Sequence, residues 1–329
     1  MSNASEDDEL DRKLLLDAAH VTEAAALAAA LWRGRGNEMA ADKAAGDAMH
    51  QELSSVHING KIIVGEGEQD DTDKLFVGEA LGLGGGPEVE IAVDALEGAT
   101  ICAKAMSNAL SVLAFAAPGG LLKMPDMYMD KIAIGPGYPD GIIDLDNTPA
   151  ENLNAVANAK GVPIGQITAC ILDRARNADL IKAVREAGAA IRLIPDGDIA
   201  GVIWTTEPRE TGVDIYFGVG GAREGVFAAA ALRCTGGQLQ GRLSPANADE
   251  RRRAADMGLD DLNRKYTTLD MASGDVIFAA TGITSGILLS GVRFQDNAAE
   301  TETLIMRSRS GAVRRIRTKH KNVANRSPE

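Results

Sequence analysis

Histidine, cysteine and long apolar runs are scarce in this 329-residue chain, and each scarcity removes a class of chemistry. Four histidines, His20, His50, His57 and His320, stand apart from every cluster of carboxylates. That argues against a His-ligated zinc site and against a Ser-His-Asp triad; His50 and His57 read as ordinary helix-surface or turn residues. Three cysteines, Cys102, Cys170 and Cys234, lie far apart with no C-x-x-C spacing. Their odd count suits reduced thiols in a cytoplasmic protein and provides no disulfide framework. No apolar run reaches the roughly 18–20 residues of a membrane span. The acidic opening, MSNASEDDELDRK, lacks the basic start and apolar stretch of a signal peptide. No G-x-x-x-x-G-K-[ST] occurs, which argues against a P-loop nucleotidase.

What is present is a globular mixture, 45% hydrophobic and 25% charged. At about 150 residues per domain the length suits two domains or one bilobed unit, and neither a repeat nor a low-complexity linker interrupts it. Net charge is −13, which disfavours a broad nucleic-acid footprint. The balance is uneven: residues 307–329 carry eight Lys/Arg against one acid, leaving 26 basic and 46 acidic groups in residues 1–306. The basic end reads as a surface strand or arm, because Thr303-Leu304-Ile305-Met306 leads straight into it. Short carboxylate clusters in so acidic a body suit the holding of divalent cations.

Helical spacing of apolar residues predicts helices over 14–32 and 40–54, with Asp42 near the positive end of the second. Strands follow over 61–64, 89–94, 110–117 and 131–134. From about residue 149 strand and helix alternate: strands over 167–172, 189–194 and 213–217, helices over 179–187, 199–205 and 224–233. A charged helical segment over 249–266 and a β-like end complete the chain. The expectation is an α/β (α+β) protein of two lobes, 1–160 and 161–329, with the site in the cleft between them. The second lobe would gather its strand carboxyl ends at one edge, where such sheets hold ligands.

The carboxylates fall at those ends. Glu66 and Glu68 follow one predicted strand, Asp94 and Glu97 another, and Asp196 and Asp198 a third, while Asp42 and Glu224 sit at helix starts. Converging carboxylates repel unless cations lie among them, and oxygen ligands suit Mg²⁺ or Mn²⁺. Gly82-Leu83-Gly84-Gly85-Gly86-Pro87 precedes a strand and reads as a turn. The stretch from Gly218 to Gly225 follows a strand and opens a helix, so its N–H groups could cradle a phosphate. Arg174 and Arg176 after strand 167–172 offer guanidinium forks for a phosphate, or are surface arginines.

Gly65-Glu66-Gly67-Glu68, Asp94-Ala95-Leu96-Glu97-Gly98, Pro125-Asp126-Met127-Tyr128-Met129, Pro195-Asp196-Gly197-Asp198 and Gly220-Gly221-Ala222-x-Glu224-Gly225 occur in that order. The set resembles class II fructose-1,6-bisphosphatases, the bacterial branch of the lithium-sensitive, metal-dependent sugar phosphatases, over about residues 11–320. The resemblance implies a layered α-β-α-β-α sandwich and hydrolysis of the 1-phosphate of fructose 1,6-bisphosphate to fructose 6-phosphate. It implies two or more divalent ions, one held by Asp42 and Glu66 and a second by Asp94, Glu97 and Glu224. Most ligands would then lie in the first lobe, with substrate contacts and one ligand in the second. Substrate contacts are implied at Glu97, Gly98, Ala99, Tyr128, Arg174, Ala175, Arg176, Asp196, Gly197, Asp198 and Gly221, with Glu68 and Asp70 as further acidic positions beside the metals. A homo-oligomer, dimer or tetramer, is implied by family analogy.

Several positions depart from the family pattern. Ala99 stands where the family has a threonine thought to orient and help deprotonate the attacking water, and Thr100 is the hydroxyl that could substitute. Asn37 replaces an Asp, Ala95 and Ala175 each a Pro, Asn177 a His, and Arg223 a Pro. Weakened hydrolysis is therefore expected. The alternatives are a catalytically silent sugar-phosphate-binding or regulatory protein, and a phosphatase for sedoheptulose 1,7-bisphosphate or another phosphate ester.

Overall fold

The computed structural model describes residue 10 and residues 12–323, and among these the chain forms ten α-helices and fourteen strands. Helices α1 (Leu14–Ala30) and α2 (Glu38–Leu53) lead into strands β1 (Asn59–Val64), β2 (Ala80–Leu81) and β3 (Glu88–Glu97). A short helix α3 (Ala99–Ala103) and strand β4 (Leu110–Ala116) follow. Next come β5 (Tyr128–Ile134), α4 (Pro149–Lys160), β6 (Thr168–Leu172), α5 (Ala178–Glu186), β7 (Ala190–Ile194), α6 (Asp198–Trp204), α7 (Pro208–Thr211) and β8 (Ile215–Gly221). Helix α8 (Ala222–Thr235), β9 (Gln238–Leu243), α9 (Ala248–Asp256), β10 (Tyr266–Thr267) and α10 (Thr268–Met271) complete the middle. The chain ends in β11 (Val276–Gly282), β12 (Arg293–Gln295), β13 (Ala298–Arg307) and β14 (Ala312–Lys321). This is the expected α/β class, with a mixed sheet and packed helices in each of two units.

The units are not the consecutive halves that the sequence suggests. One runs to Leu121 and resumes at Ser273; the other is Leu122–Ala272. The reason is a long-range pairing. Strand β11 lies antiparallel to β4 along its whole length, so the last four strands extend the first sheet.

In the first unit the strand order is β12-β13-β11-β4-β3-β1-β2, with β14 paired to β13. Strand β4 is buried at every position, as a central strand must be. The basic end is a strand, as expected: β14 carries Arg314, Arg315, Arg317, Lys319 and Lys321 along the sheet margin. Charge on such an edge discourages pairing with other chains. The alanines of α1 let it lie close over β3, β4, β11 and β13. A buried polar network ties that helix to the sheet. Glu23 is 2% exposed and accepts hydrogen bonds from the hydroxyls of Thr318 at 2.6 Å and Thr303 at 3.3 Å. Thr281 bridges Thr303 and Thr22, each at 2.8 Å.

In the second unit the order is β10-β9-β5-β8-β6-β7. Strands β8, β6 and β7 run parallel, so their carboxyl ends share one edge. Strand β5 is antiparallel to β8, which brings its first residue, Tyr128, opposite Gly221 at that same edge. Two sequence expectations change here. The glycines 218–221 belong to strand β8 and pair with 128–131 of β5, so they form no phosphate-cradling loop. The charged helix expected over 249–266 stops at Asp256, where Met257 and Gly258 (φ 75°) turn the chain away.

All three cysteines are free and buried; burial pushes the Cys102 thiol up to about 11 and raises that of Cys170 as well. Replacing Glu23 with alanine leaves the Thr318 and Thr303 hydroxyls without their acceptor. That substitution should cost about 1–3 kcal/mol, read as a lower urea midpoint, with Glu23→Gln retaining part of the loss. An unchanged midpoint for Glu23→Ala would remove the network from the stabilising interactions.

Candidate active site

Asp94 and Glu97 are three residues apart, a spacing that puts side chains on opposite faces of a regular strand. The pairing of β3 with β4 cancels that mismatch. Asp94 lies opposite Val112 and Glu97 opposite Leu110, so three residues on β3 span two on β4. The bulge at Ala95 and Leu96 absorbs the extra residue and turns both carboxylates to one face, as bulges beside functional sites commonly do. Glu66 reaches this bulge from the end of β1, which is parallel to β3. Its Oε1 accepts the Ala95 N–H at 2.8 Å. The first unit therefore brings Glu66 to the same strand end as Asp94 and Glu97, with Glu97 only 5% exposed.

The other residues of this unit stand as follows. Asp42 lies on the solvent side of α2, yet enough protein surrounds its carboxyl to raise its pKa by burial. Asn37 caps α2, its side chain accepting the Ala40 N–H at 3.0 Å. Glu68 and Asp70 are exposed in the loop after β1. Gly98 precedes α3, whose first two residues are Ala99 and Thr100. Ala99 is partly buried and packs its methyl against the first unit's apolar core.

In the second unit the implied contacts collect at the shared strand edge. Arg174, Ala175 and Arg176 follow β6, Asp196, Gly197 and Asp198 follow β7, Gly221 ends β8 and Glu224 lies in the first turn of α8. A cavity of about 420 Å³ opens there, lined in part by Tyr128, Arg176, Asp196, Asp198, Gly221 and Glu224. The Arg176 guanidinium lies over the Tyr128 ring, 4.4 Å from its centre, and its Nε donates to the Val219 carbonyl at 2.8 Å. Arg174 sits 3.8 Å from Asp196; it, Ala175 and Gly197 flank the cavity residues in sequence without lining the cavity.

Two glycines are dictated by close approach. A β-carbon on Gly220 would meet Asp198 Oδ2 at 2.0 Å, and one on Gly221 would meet Glu224 Oε2 at 1.8 Å. Only glycine lets the two carboxylates lie against β8. Lys131, 1% exposed on β5, is ion-paired with Asp198 and donates to the Gly221 carbonyl at 2.8 Å. Glu224 is held above the usual carboxylate range, first by burial and then by the charge of Asp198, with Lys131 and Arg223 opposing.

Sequence reasoning missed Lys131, whose alternation within a strand carries no sign of its partner. It marked Asn177 as a departure from the family pattern that could alter substrate choice, but not its packing: the side chain is buried, donates to the Leu172 carbonyl at 3.1 Å and accepts the Val219 N–H at 2.9 Å. Among the described residues no three His, Cys, Asp or Glu side chains already close into a metal cage. The donor chemistry nevertheless fits hard divalent cations. The candidate ligands all offer carboxylate oxygens, and Glu224 is an enclosed carboxyl whose charged form is disfavoured by burial and by Asp198, a disfavour that a bound cation would relieve.

Replacing Lys131 with methionine leaves Asp198 buried without its partner. The loss should be about 3–5 kcal/mol in urea unfolding, and Lys131→Met combined with Asp198→Asn should recover much of it. A double variant as unstable as the single one would show that the pair's charges are not the cause.

No described helix is long and apolar enough to cross a membrane. The chain matches the family described as bacterial fructose-1,6-bisphosphatase, glpX-encoded, over residues 12–320. It is 41% identical over 325 positions to the fructose-1,6-bisphosphatase class 2 of Haemophilus influenzae, covering 94% of this chain and 97% of that protein. It is 39% identical over 336 positions to the D-fructose 1,6-bisphosphatase class 2/sedoheptulose 1,7-bisphosphatase of Synechococcus sp. (strain JA-3-3Ab), covering 94% and 96%. A second Synechococcus protein, from strain JA-2-3B'a(2-13), has the same name and the same identity and coverage. The match spans nearly the whole chain and both strand-end clusters, and the protein belongs to the bacterial, glpX-encoded fructose-1,6-bisphosphatase family.

Proposed function

We propose that this protein hydrolyses the 1-phosphate of fructose 1,6-bisphosphate to fructose 6-phosphate with Mg²⁺ or Mn²⁺. The observation that carries this reading is the bulge that turns Asp94 and Glu97 to one face, with Glu66 bonded to its backbone. A strand interior gains nothing from two such carboxylates unless they bind something positive. Family membership supports the same reaction, and the relatives' names give no support to a silent binding protein.

In this reading Asp42 and Glu66 hold one ion, Asp94 and Glu97 a second, and Glu224 is a further ligand of the second. Bound divalent cations neutralise phosphate charge and acidify water in the reacting geometry. The chain's own residues do the rest. Arg176, fixed by Tyr128 and the Val219 carbonyl, presents its guanidinium to substrate oxygens. Asp196 and Asp198 accept hydrogen bonds from sugar hydroxyls, Asp198 being anchored by Lys131. Glu97, Gly98, Ala99, Arg174, Ala175, Gly197 and Gly221 are proposed as the remaining substrate contacts, and Glu68 and Asp70 as outer acidic groups. The methyl of Ala99 offers no hydrogen bond to an attacking water, so proton transfer at that position falls to Thr100 or to solvent.

A second substrate, sedoheptulose 1,7-bisphosphate, is favoured by the names of the Synechococcus relatives. We also take the protein to act in the cytoplasm as a homo-oligomer, in line with the resemblance.

Phosphate release from both bisphosphates should require Mn²⁺ or Mg²⁺ and stop on chelation. Ala99→Thr should raise the rate by about 10²-fold, the usual contribution of a placed acid–base group. Glu97→Gln should weaken Mn²⁺ binding in a direct titration without substrate. Metal-independent release, or no release by either protein, would overturn the reading.

A further inference from the structure

We propose that Glu79, tied to α2 by His50, is a positioning residue that holds Glu66 for the ion it shares with Asp42. This inference rests on the function proposed above and deepens it, since neither Glu79 nor His50 is among the implied ligands or substrate contacts. Every residue it uses lies in the first unit.

Glu66 stands on the outgoing arm of the loop 65–79, and its backbone is fastened to the returning arm. The Glu66 N–H donates to the Leu75 carbonyl at 2.9 Å, and the Val77 N–H donates to the Gly67 carbonyl at 3.0 Å. The arms lie so close that a β-carbon on Gly65 would meet the Leu75 oxygen at 2.1 Å. Leu75 therefore places the backbone of Glu66. It does so in the left-handed region, at a φ of 57°, which a leucine rarely adopts. Such a conformation persists only where its surroundings over-determine it. Two contacts do so here. The Leu75 side chain is fully buried in the apolar core against α2, where a β-carbon on Gly46 would meet its Cδ1 at 4.0 Å. The Leu75 N–H donates to Glu79 Oε2 at 2.6 Å.

The other oxygen of Glu79 is turned to α2. His50 Nε2 lies 2.9 Å from Glu79 Oε1; an ionised carboxylate can only accept, so the ring nitrogen donates. Both side chains of this pair are half-buried. A second tie between the same two segments, Lys74 to Asp47 at 2.6 Å, is exposed and adds little. His50, which reads from the sequence as an ordinary helix-surface residue, is thus the point at which α2 grips the loop. One carboxylate spans the two segments that bear the first ion's ligands. Asp42 lies on α2, and Glu66 is fastened to Glu79 through the backbone of Leu75. Groups that order a ligand without touching the ion are commonly worth as much to its affinity as a ligand's own orientation.

The test is a titration with Mn²⁺ alone, followed by the electron paramagnetic resonance of the free ion. Asp42→Asn marks the affinity of the ion in question, and Glu97→Gln marks that of the other. Melting curves first establish that each variant is folded; His50→Ala, which leaves the bond to Leu75 in place, stands in if Glu79→Ala is not. Glu79→Ala should weaken the first ion about tenfold or more and leave the second as in the parent. His50→Ala should weaken the same ion to a smaller degree. Glu79→Gln keeps an acceptor for the Leu75 N–H and should recover most of the loss. Glu79→Ala combined with Asp42→Asn should bind no more weakly than Asp42→Asn alone, because both act on one ion, whereas a general loosening would add. Parent-like affinity in Glu79→Ala or its stand-in, an equal loss at both ions, or full additivity would overturn the inference and leave the proposed function standing. A parent whose Mn²⁺ binding depends on Glu79 in this way but that releases no phosphate would support the inference and sink the hydrolytic reading. A parent that binds no Mn²⁺ would sink both.

Discussion

Carboxylates set side by side in a folded protein repel each other and resist desolvation, and both units are arranged around that constraint. The second unit supplies its own positive charge. Lys131 reaches through the buried face of β5 to Asp198 and to the Gly221 carbonyl, and its charge also opposes the raising of Glu224. The glycines at 220 and 221 exist because the two carboxylates must come this close to β8. In the first unit Glu66 takes a backbone N–H at Ala95. Compensation by one amide is small beside that by an ammonium, which is why the cations are assigned chiefly to that unit.

The strand-end clusters were legible in the sequence because each is local: a short apolar run, then a turn bearing acids. The parallel run of β6 and β7 made Arg174–Arg176 and Asp196–Asp198 neighbours on one edge, as strand–helix alternation foretells. What the sequence hid was pairing between distant segments. Nothing local says that β11 returns to β4, so the division of the chain could not be read. The glycines of β8 look like a loop until β5 is laid against them. Lys131 reads as a polar interruption in a strand, and its meaning depends on Asp198, 67 residues later.

Two departures from the family pattern have structural work visible in this chain. Asn37 caps α2 with a side-chain oxygen, a task that aspartate and asparagine perform about equally well. Asn177 donates to the end of β6 and accepts from Val219 in β8, using both halves of its amide to hold the arginine turn against the strand. A neutral histidine also offers one donor and one acceptor, but on a rigid ring whose geometry differs. The edge that bears Arg176 is therefore held here by an amide clasp.

The two departures within Asp94-Ala95-Leu96-Glu97-Gly98-Ala99 act in opposite directions on one small region. The family's proline at 95 has no N–H, so the hydrogen bond from Ala95 to Glu66 exists because alanine stands there. That bond fixes one oxygen of Glu66 at the bulge, which would add order to the proposed ligand set. At 99 the change removes a group, since the alanine methyl packs against the core and has nothing to offer a water molecule. One substitution thus tightens the holding of a carboxylate, and in the proposed mechanism the other thins the machinery for moving a proton. Loss of the hydroxyl acts on a transition state alone, whereas the added N–H acts in every state of the site, so the two cannot compensate each other in rate. In the proposed mechanism binding and turnover are separable for that reason, and the separation traces to two alanines four residues apart, one within the bulge and one just after it.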